Sequence, residues 1–304
     1  MKRRDFIQKT TASSAFLTLG GMSLSSFQSV SSKHITILHT NDVHSYIDPF
    51  PMDDPRNPGM GGVAKRAALI SEIRKENPNV LLLDAGDIFQ GTPYFNYYGG
   101  EIEFKLMSMM KYDASAIGNH DFDNGIGGLF KQMPNATFEF ISANYDFKNT
   151  ILEGMVRPYK IFTIDGVKIG VFGLGVELEG LVDKKNYQET IYNDPLAVSQ
   201  DMIRILKTEN KCDIVICLSH IGYQYKNEPD RICDLKLAAA TKDIDLIIGG
   251  HTHTFLDKPT VVKNIEGKDV LVNQVGCYGL NLGRIDFYLD VNKDLSTKGR
   301  AIVV

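Results

Sequence analysis

Short apolar runs recur along the chain, and several end abruptly in Asp, His, Asn and Gly. His34-Ile35-Thr36-Ile37-Leu38-His39 alternates around β-branched residues and predicts a first core strand, ending in Thr40-Asn41-Asp42-Val43-His44. Val80-Leu81-Leu82-Leu83 is continuously apolar, as in a strand buried on both faces, and runs into Asp84-Ala85-Gly86-Asp87. Ala114-Ser115-Ala116-Ile117 leads to Gly118-Asn119-His120-Asp121-Phe122-Asp123. Ile214 to Leu218 ends at Ser219-His220, and Ile244 to Ile248 at Gly249-Gly250-His251-Thr252-His253. Between these runs the apolar spacing becomes helical. Val63, Ala67, Ile70 and Ile73 predict a helix from Val63 to Lys75, stopped by Asn77-Pro78. Further helices are expected over Glu101 to Met110 and Pro195 to Lys207, the latter with Asp194 as N-cap. Asp165-Gly166 supplies the positive φ angles of a type I′ turn in a hairpin from Phe162 to Ile169. Glu266-Gly267 and Asn292-Lys293 mark hairpins in an antiparallel closing section, and the Pro-rich segment Asp48 to Gly62 is a loop. Strand, loop, helix, strand is the rhythm of an α/β fold, here one domain from about 33 to 304.

Five of those strand ends carry Asp42 and His44, Asp87, Asn119 and His120, His220, and His251 with His253; five of the chain's seven histidines sit there. Open α/β sheets bind ligands beyond the carboxyl ends of their strands. Asp-x-His and His-x-His have period-two spacing, so in an extended segment both side chains face one way and reach one ion. Carboxylate oxygen with imidazole suits Zn, Mn, Fe or a similar divalent ion; an all-thiolate site would need cysteine clusters that are absent.

Composition narrows the class without changing it. The 304 residues are 43% hydrophobic and 23% charged, ordinary for a globular chain with a sizeable core. A net charge of -4 gives no reason to propose nucleic acid as a partner. Cys212, Cys217, Cys233 and Cys277 have no zinc spacing; Cys212 and Cys217 share one apolar run, which favours buried free thiols, while an exported chain leaves disulfides open. Residues 1 to 30 read as a secretory signal: a basic start with Arg3-Arg4, then Phe6, Ile7 and Lys9, and a mildly apolar stretch from Ala12 to Phe27. The paired arginines resemble a twin-arginine signal, which implies a periplasmic protein and no transmembrane segment in the mature chain.

Taken in order, Asp42-x-His44, Gly86-Asp87, Gly118-Asn119-His120-Asp121, Ser219-His220 and Gly250-His251-x-His253 resemble the motif set of calcineurin-like metallophosphoesterases. Leu38-His39-Thr40-Asn41-Asp42-Val43-His44 and Gly118-Asn119-His120-Asp121-Phe122-Asp123 resemble, more narrowly, the N-terminal catalytic domain of the exported 5′-nucleotidase family. That resemblance implies a layered α/β/β/α sandwich with mixed sheets. It also implies two divalent ions: Asp42, His44 and His253 hold the first, Asn119, His220 and His251 the second, and Asp87 bridges them. Ions about 3.5–4 Å apart share a hydroxide that attacks a phosphate ester. The resemblance further implies that His120 assists the leaving group, with Asp123 as its dyad partner.

The pattern departs from the family in two places. His253 stands where some exported 5′-nucleotidases have Gln, which keeps cyclic-nucleotide phosphodiesterase and thiosulfohydrolase relatives open as alternatives. The family's C-terminal nucleotide-binding domain is absent before Val304, so a separately encoded domain is an expected partner, beside a small phosphate ester, a nucleotide, as substrate. A non-catalytic metal-binding accessory protein is a third reading, against which stands the intact pair His120 and Asp123. His39 reads as a structural strand histidine, Asp84 as either a turn former or a group behind the ligands, and Tyr94 to Tyr98 as packing rather than a substrate contact.

Overall fold

Successive side chains of a strand point to opposite faces, and this alternation divides each continuous apolar run between two cores. In the computed structural model, which describes residues 32–304 apart from positions 291 and 293, Leu81 and Leu83 enter one core and Leu82 another. Ile214, Ile216 and Leu218 likewise join the first of these, while Val215 and Cys217 turn to a third. The expected signal over residues 1 to 30 lies outside the described residues.

The described residues begin with β1 (Lys33–Thr40), followed by β2 (Val80–Asp84), β3 (Ala114–Ala116) and β4 (Glu139–Ile141), parallel neighbours in that order. A short β5 (Tyr145–Asp146) precedes the hairpin of β6 (Tyr159–Ile164) and β7 (Val167–Leu174). Asp165 and Gly166 form its turn with φ of 49° and 72°, as their sequence predicts. Then β8 (Ile191–Tyr192) pairs with β5, and β9 (Ile214–Ser219) and β10 (Leu246–Gly249) run parallel beside β7. The strands β11 (Thr260–Lys263), β12 (Asp269–Asn273), β13 (Asn281–Leu289) and β14 (Leu295–Val303) close the chain.

These strands make two six-stranded mixed sheets, ordered β14-β13-β1-β2-β3-β4 and β11-β12-β10-β9-β7-β6. The closing section is therefore not a single antiparallel unit. β12 lies parallel to β10 and completes the second sheet, whereas β13 returns antiparallel to β1 in the first. Between the facing sheets lies a dry core including Ile35, Ile37, Ile169, Ile216, Leu246 and Phe287.

Helices cover both outer faces. α1 (Val63–Glu76), α2 (Pro93–Tyr98), α3 (Glu101–Met109), α4 (Gly125–Gln132) and α5 (Lys184–Tyr187) supply Ile70, Phe95, Phe104, Ile126 and Tyr187 to the core that contains Leu38 and Leu82. α6 (Pro195–Ile203) and α7 (Asp234–Ala240) pack Ile203 and Leu237 against Val215, Cys217 and Ile247. The result is the expected α/β/β/α sandwich. The helix expected over Pro195 to Lys207 is α-helical only to Ile203 and widens to a π-helix over Arg204–Glu209. Leu206 is fully buried there while Lys207 Nζ reaches Asp213 O (2.9 Å) and Asp245 Oδ2 (3.1 Å). All four cysteines are free and buried.

Ile216 pairs with Val171 on one side and Leu246 on the other, with no exposed surface. Ile216→Ala should cost about 2–5 kcal/mol of stability by urea unfolding. A loss below about 1 kcal/mol would mean that the two sheets do not share a close-packed interior.

Candidate metal centre

The carboxyl ends of β1, β2, β3, β9 and β10 open onto one edge of the sandwich, so side chains from both sheets meet there. The pairing of β1 with β2 continues past the strands. Asp42 N–H donates to Gly86 O (3.0 Å), His44 N–H to Asp87 O (3.1 Å) and Ser45 N–H to Ile88 O (2.8 Å). Two loops thus run side by side and carry Asp42, His44 and Asp87 to a shared point. Their backbones are unusual. Asp42, His44, Asp87, His251 and His253 all have φ between 48° and 69°, the left-handed region that side chains other than glycine rarely occupy. Each such residue costs on the order of 1 kcal/mol or more, and such strain collects at functional sites.

One buried carboxylate holds much of this shape. Asp121 accepts N–H bonds from Gly118 (2.8 Å), Asp87 (3.1 Å), Ile88 (2.9 Å) and Phe89 (3.2 Å). Its place beside His120 is visible in sequence, but its role as an anchor for the β2 loop is not. Asn41 works similarly, donating to Asp42 Oδ2 (2.7 Å) and Gly276 O (2.6 Å) and accepting from Val275 N–H (3.0 Å).

All seven candidate ligands come together. In one group, His44 Nε2 lies 3.0 Å from His253 Nε2 and 4.0 Å from Asp42 Oδ1, with His253 Nε2 3.4 Å from the same oxygen. In the other, His220 Nε2 is 3.0 Å from Asp87 Oδ2, and His251 Nδ1 is 2.8 Å from Asn119 Oδ1. Asp87 Oδ2 is also 3.9 Å from His44 Nε2, and Asp42 Oδ1 is 4.0 Å from His220 Nε2, so both carboxylates face both groups, Asp87 more closely. Nothing larger than hydrogen fits beside it at Gly118, where a Cβ would fall 2.2 Å from Asp87 Oδ1. A Cβ at Gly250 would fall 2.7 Å from His220 Nδ1.

The donor set fits divalent cations. His220 Nδ1 donates to Ala85 O (2.7 Å) and His44 Nδ1 to Phe89 O (3.2 Å), so both Nε2 atoms face the carboxylates and are the nitrogens that would be free to bind an ion. His220 Nε2 is fully buried, and Asp87 Oδ2, 3.0 Å away, is the nearest group it meets. Burial opposes charge on His220, but the carboxylates of Asp87 and Asp42 outweigh it and push the imidazole up to about 10. Hydrogen bonds to Asp42 and Cys277 raise His253 to about 10. Burial would raise Asp87, yet His220 and His44 hold it well below the usual carboxylate range. Without an ion the cluster draws protons to balance its carboxylates. His251, lowered to about 4 by burial and the neighbouring His220, stays a neutral donor.

His120 stands apart from these lone pairs. Its N–H donates to Asp87 Oδ1 (2.8 Å), and its Nδ1 donates to Asp123 Oδ2 (2.9 Å), a bond that raises the imidazole above its ordinary range. The side chain is 38% exposed, so it can meet a ligand above the carboxylates. His39, in contrast, is sealed between the sheets beside Asn273 Nδ2 (2.8 Å) and lowered to about 3 by burial. Asp84 is a turn former, accepting from Thr40 Oγ1 (2.5 Å) and Gly86 N–H (2.9 Å). In the Tyr94 to Tyr98 segment Phe95 packs on Phe89, Tyr94 donates to Asp48, and Tyr97 and Tyr98 are exposed.

Comparison with known proteins gives this arrangement its family. The calcineurin-like phosphoesterase profile matches residues 35–255, and the chain belongs to that family. It is 36% identical over 279 residues to the snake venom 5′-nucleotidase of Crotalus adamanteus, covering 84% of this chain and 45% of that protein. It is 35% identical over 288 residues to the trifunctional nucleotide phosphoesterase YfkN of Bacillus subtilis, covering 84% of this chain and 18% of that one. The crystal structure of a 5′-nucleotidase precursor from Thermus thermophilus superposes with a TM-score of 0.80 at 34% identity, over 90% of this chain and 55% of the other. The chain thus spans less than half the length of these curated relatives.

Gly118→Ala places a methyl against Asp87. Affinity for Mn²⁺, measured by calorimetry on chelator-treated protein, should fall about tenfold or more, as when other groups that support metal ligands are lost. Unchanged affinity would show that the close fit of Asp87 against Gly118 is not needed for binding.

Proposed function

We propose that the chain is an exported, dinuclear metal-dependent phosphomonoesterase acting on 5′-nucleotides. The observation that carries this reading is the double aspect of Asp87 Oδ2, 3.0 Å from His220 Nε2 and 3.9 Å from His44 Nε2. Asp42, His44 and His253 would hold one ion; Asn119, His220 and His251 the other; Asp87 would serve both. Divalent ions held there supply Lewis-acid charge to phosphoryl oxygens and lower the pKa of water.

The chain's own residues supply the rest. Asp123 fixes His120 with its Nδ1 proton engaged, so Nε2 is the atom free to meet an ester oxygen. As the P–O bond to the leaving group breaks, His120 gives a proton to the departing alkoxide, and water provides the oxygen that replaces it on phosphorus. Alcohol and inorganic phosphate result. A merely metal-binding protein has no use for such a positioned acid. The nucleotide assignment is supported by relatives named 5′-nucleotidase at 36% and 34% identity. Export is supported by the basic Lys2-Arg3-Arg4 start and the mildly apolar stretch after it. Among the described residues no helix is long and apolar enough to cross a membrane.

EDTA should abolish hydrolysis of AMP and a divalent ion should restore it, with metal analysis approaching two ions per chain. Full activity at one ion or none would exclude the dinuclear reading.

His120→Asn should lower kcat by about 10²–10⁴ for alkyl esters such as AMP. The loss should be much smaller for p-nitrophenyl phosphate, whose leaving group scarcely needs a proton, while metal content stays the same. Equal losses on both substrates would assign His120 another task.

A further inference from the structure

The loop that carries His44 continues directly into an aromatic cluster that the reaction does not use. Tyr46 lies two residues on, and Phe50 follows in the Pro-rich segment. Tyr278 joins them from the turn before β13. Ring centroids are 4.4 Å apart for Tyr46 and Tyr278, 5.0 Å for Tyr46 and Phe50, and 6.2 Å for Phe50 and Tyr278. Tyr46 and Phe50 are stacked with their planes 15° apart, Tyr278 is tilted against both at 35° and 50°, and all three are half-buried. Tyr278 lies beside both imidazoles of the first ligand group, 5.9 Å from His44 and 5.8 Å from His253.

The position of Tyr278 is enforced. Its N–H donates to Asp42 O (2.7 Å), and its φ of 61° is one that an aromatic residue adopts only when its surroundings impose it. The same hydrogen bond ties the ring to the loop bearing a candidate ligand. Other aromatic groups near the centre are less suited to a ligand. Tyr225 is 6.5 Å from His251, but Arg231 lies 4.0 Å over its ring. The Tyr94 to Tyr98 segment makes no ring contact with the candidate ligands among the described residues.

We propose that Tyr46, Phe50 and Tyr278 form a shelf that binds the planar aromatic base of the nucleotide, so that base recognition begins within this chain. This rests on the functional reading above for the identity of the ester. Flat aromatic groups stack on such rings with little dependence on which base is present, and tyrosine orders at small entropic cost. The shelf would therefore favour nucleotides over sugar phosphates while discriminating weakly among bases.

The test uses the full chain, with two readouts. Tyr278→Asn removes the ring but keeps a residue that tolerates positive φ. Tyr46→Leu removes a ring without altering the bond to Asp42, and serves if the first variant does not fold by thermal melting. Saturation-transfer NMR should detect the base protons of adenosine on the unaltered protein, with the signal reduced about fivefold or more in either variant. The ratio of kcat/KM for AMP to that for ribose 5-phosphate should fall by about 5- to 100-fold. Absence of an adenosine signal on the unaltered chain, or an unchanged ratio in a folded variant, would overturn the shelf. An adenosine signal that disappears in the variants, on a protein that hydrolyses neither ester, would uphold the shelf and overturn the phosphomonoesterase reading instead.

Discussion

Two buried carboxylates held close together are the constraint from which the rest of the centre follows. Asp42 Oδ1 and Asp87 Oδ2 both lie within 4.0 Å of the same two nitrogens, Nε2 of His44 and Nε2 of His220. Water does not reach them, so their repulsion cannot be relieved by solvation. Something positive has to stand between. In the bare chain that role falls to protonated imidazoles, as the raised values of His220 and His253 indicate. A divalent ion does the same with more charge in less space, and releases those protons on binding. Neutral nitrogen and oxygen donors gathered around two carboxylates would otherwise be a costly way to fill a protein interior.

The fold exists in the form needed to bring those carboxylates together. Asp42 and Asp87 come from adjacent parallel strands of one sheet, while His220 and the His251-His253 pair come from the other. Facing sheets with parallel central strands point their carboxyl ends the same way, so loops of distant sequence meet at one edge. The dry layer of Ile, Leu, Val and Phe between the sheets fixes that edge, since interiors packed so closely do not slide. Asp121 then links the β2 loop to the β3 turn through four N–H bonds.

Much of this was legible in the sequence because periodicity and residue type carry it. Runs such as Val80 to Leu83 announce buried strands, and Asp-x-His or His-x-His at their ends announce converging ligands. What was hidden depends on geometry that no single segment encodes. The left-handed backbone at Asp42, His44, Asp87, His251 and His253 is imposed by tertiary hydrogen bonds, and none of these residues is a glycine that would have signalled it. The parallel placement of β12 beside β10 depends on a crossover that closing-section hairpins do not reveal. The rings of Tyr46 and Tyr278 meet across 232 positions, a separation at which pattern has no reach. The segment that did stand out as aromatic, Tyr94 to Tyr98, divides between packing and the surface.

Strain and charge at this edge bear on stability as well as chemistry. Left-handed residues and clustered carboxylates both weigh against the folded chain, and both are relieved or offset by a cation that binds the folded state and not the unfolded one. Occupancy of the centre is then coupled to the cohesion of the loops that form it. Those loops also carry Tyr46, Phe50 and Tyr278, through the bond from Tyr278 N–H to Asp42 O. On the proposed reading, an ion that steadied Asp42 would also steady the aromatic rings beside it, and the surface for the organic part of a substrate would be ordered by the same event that charges the site for its phosphate. Preorganisation of both halves by one binding step lowers the ordering cost left for the substrate to meet.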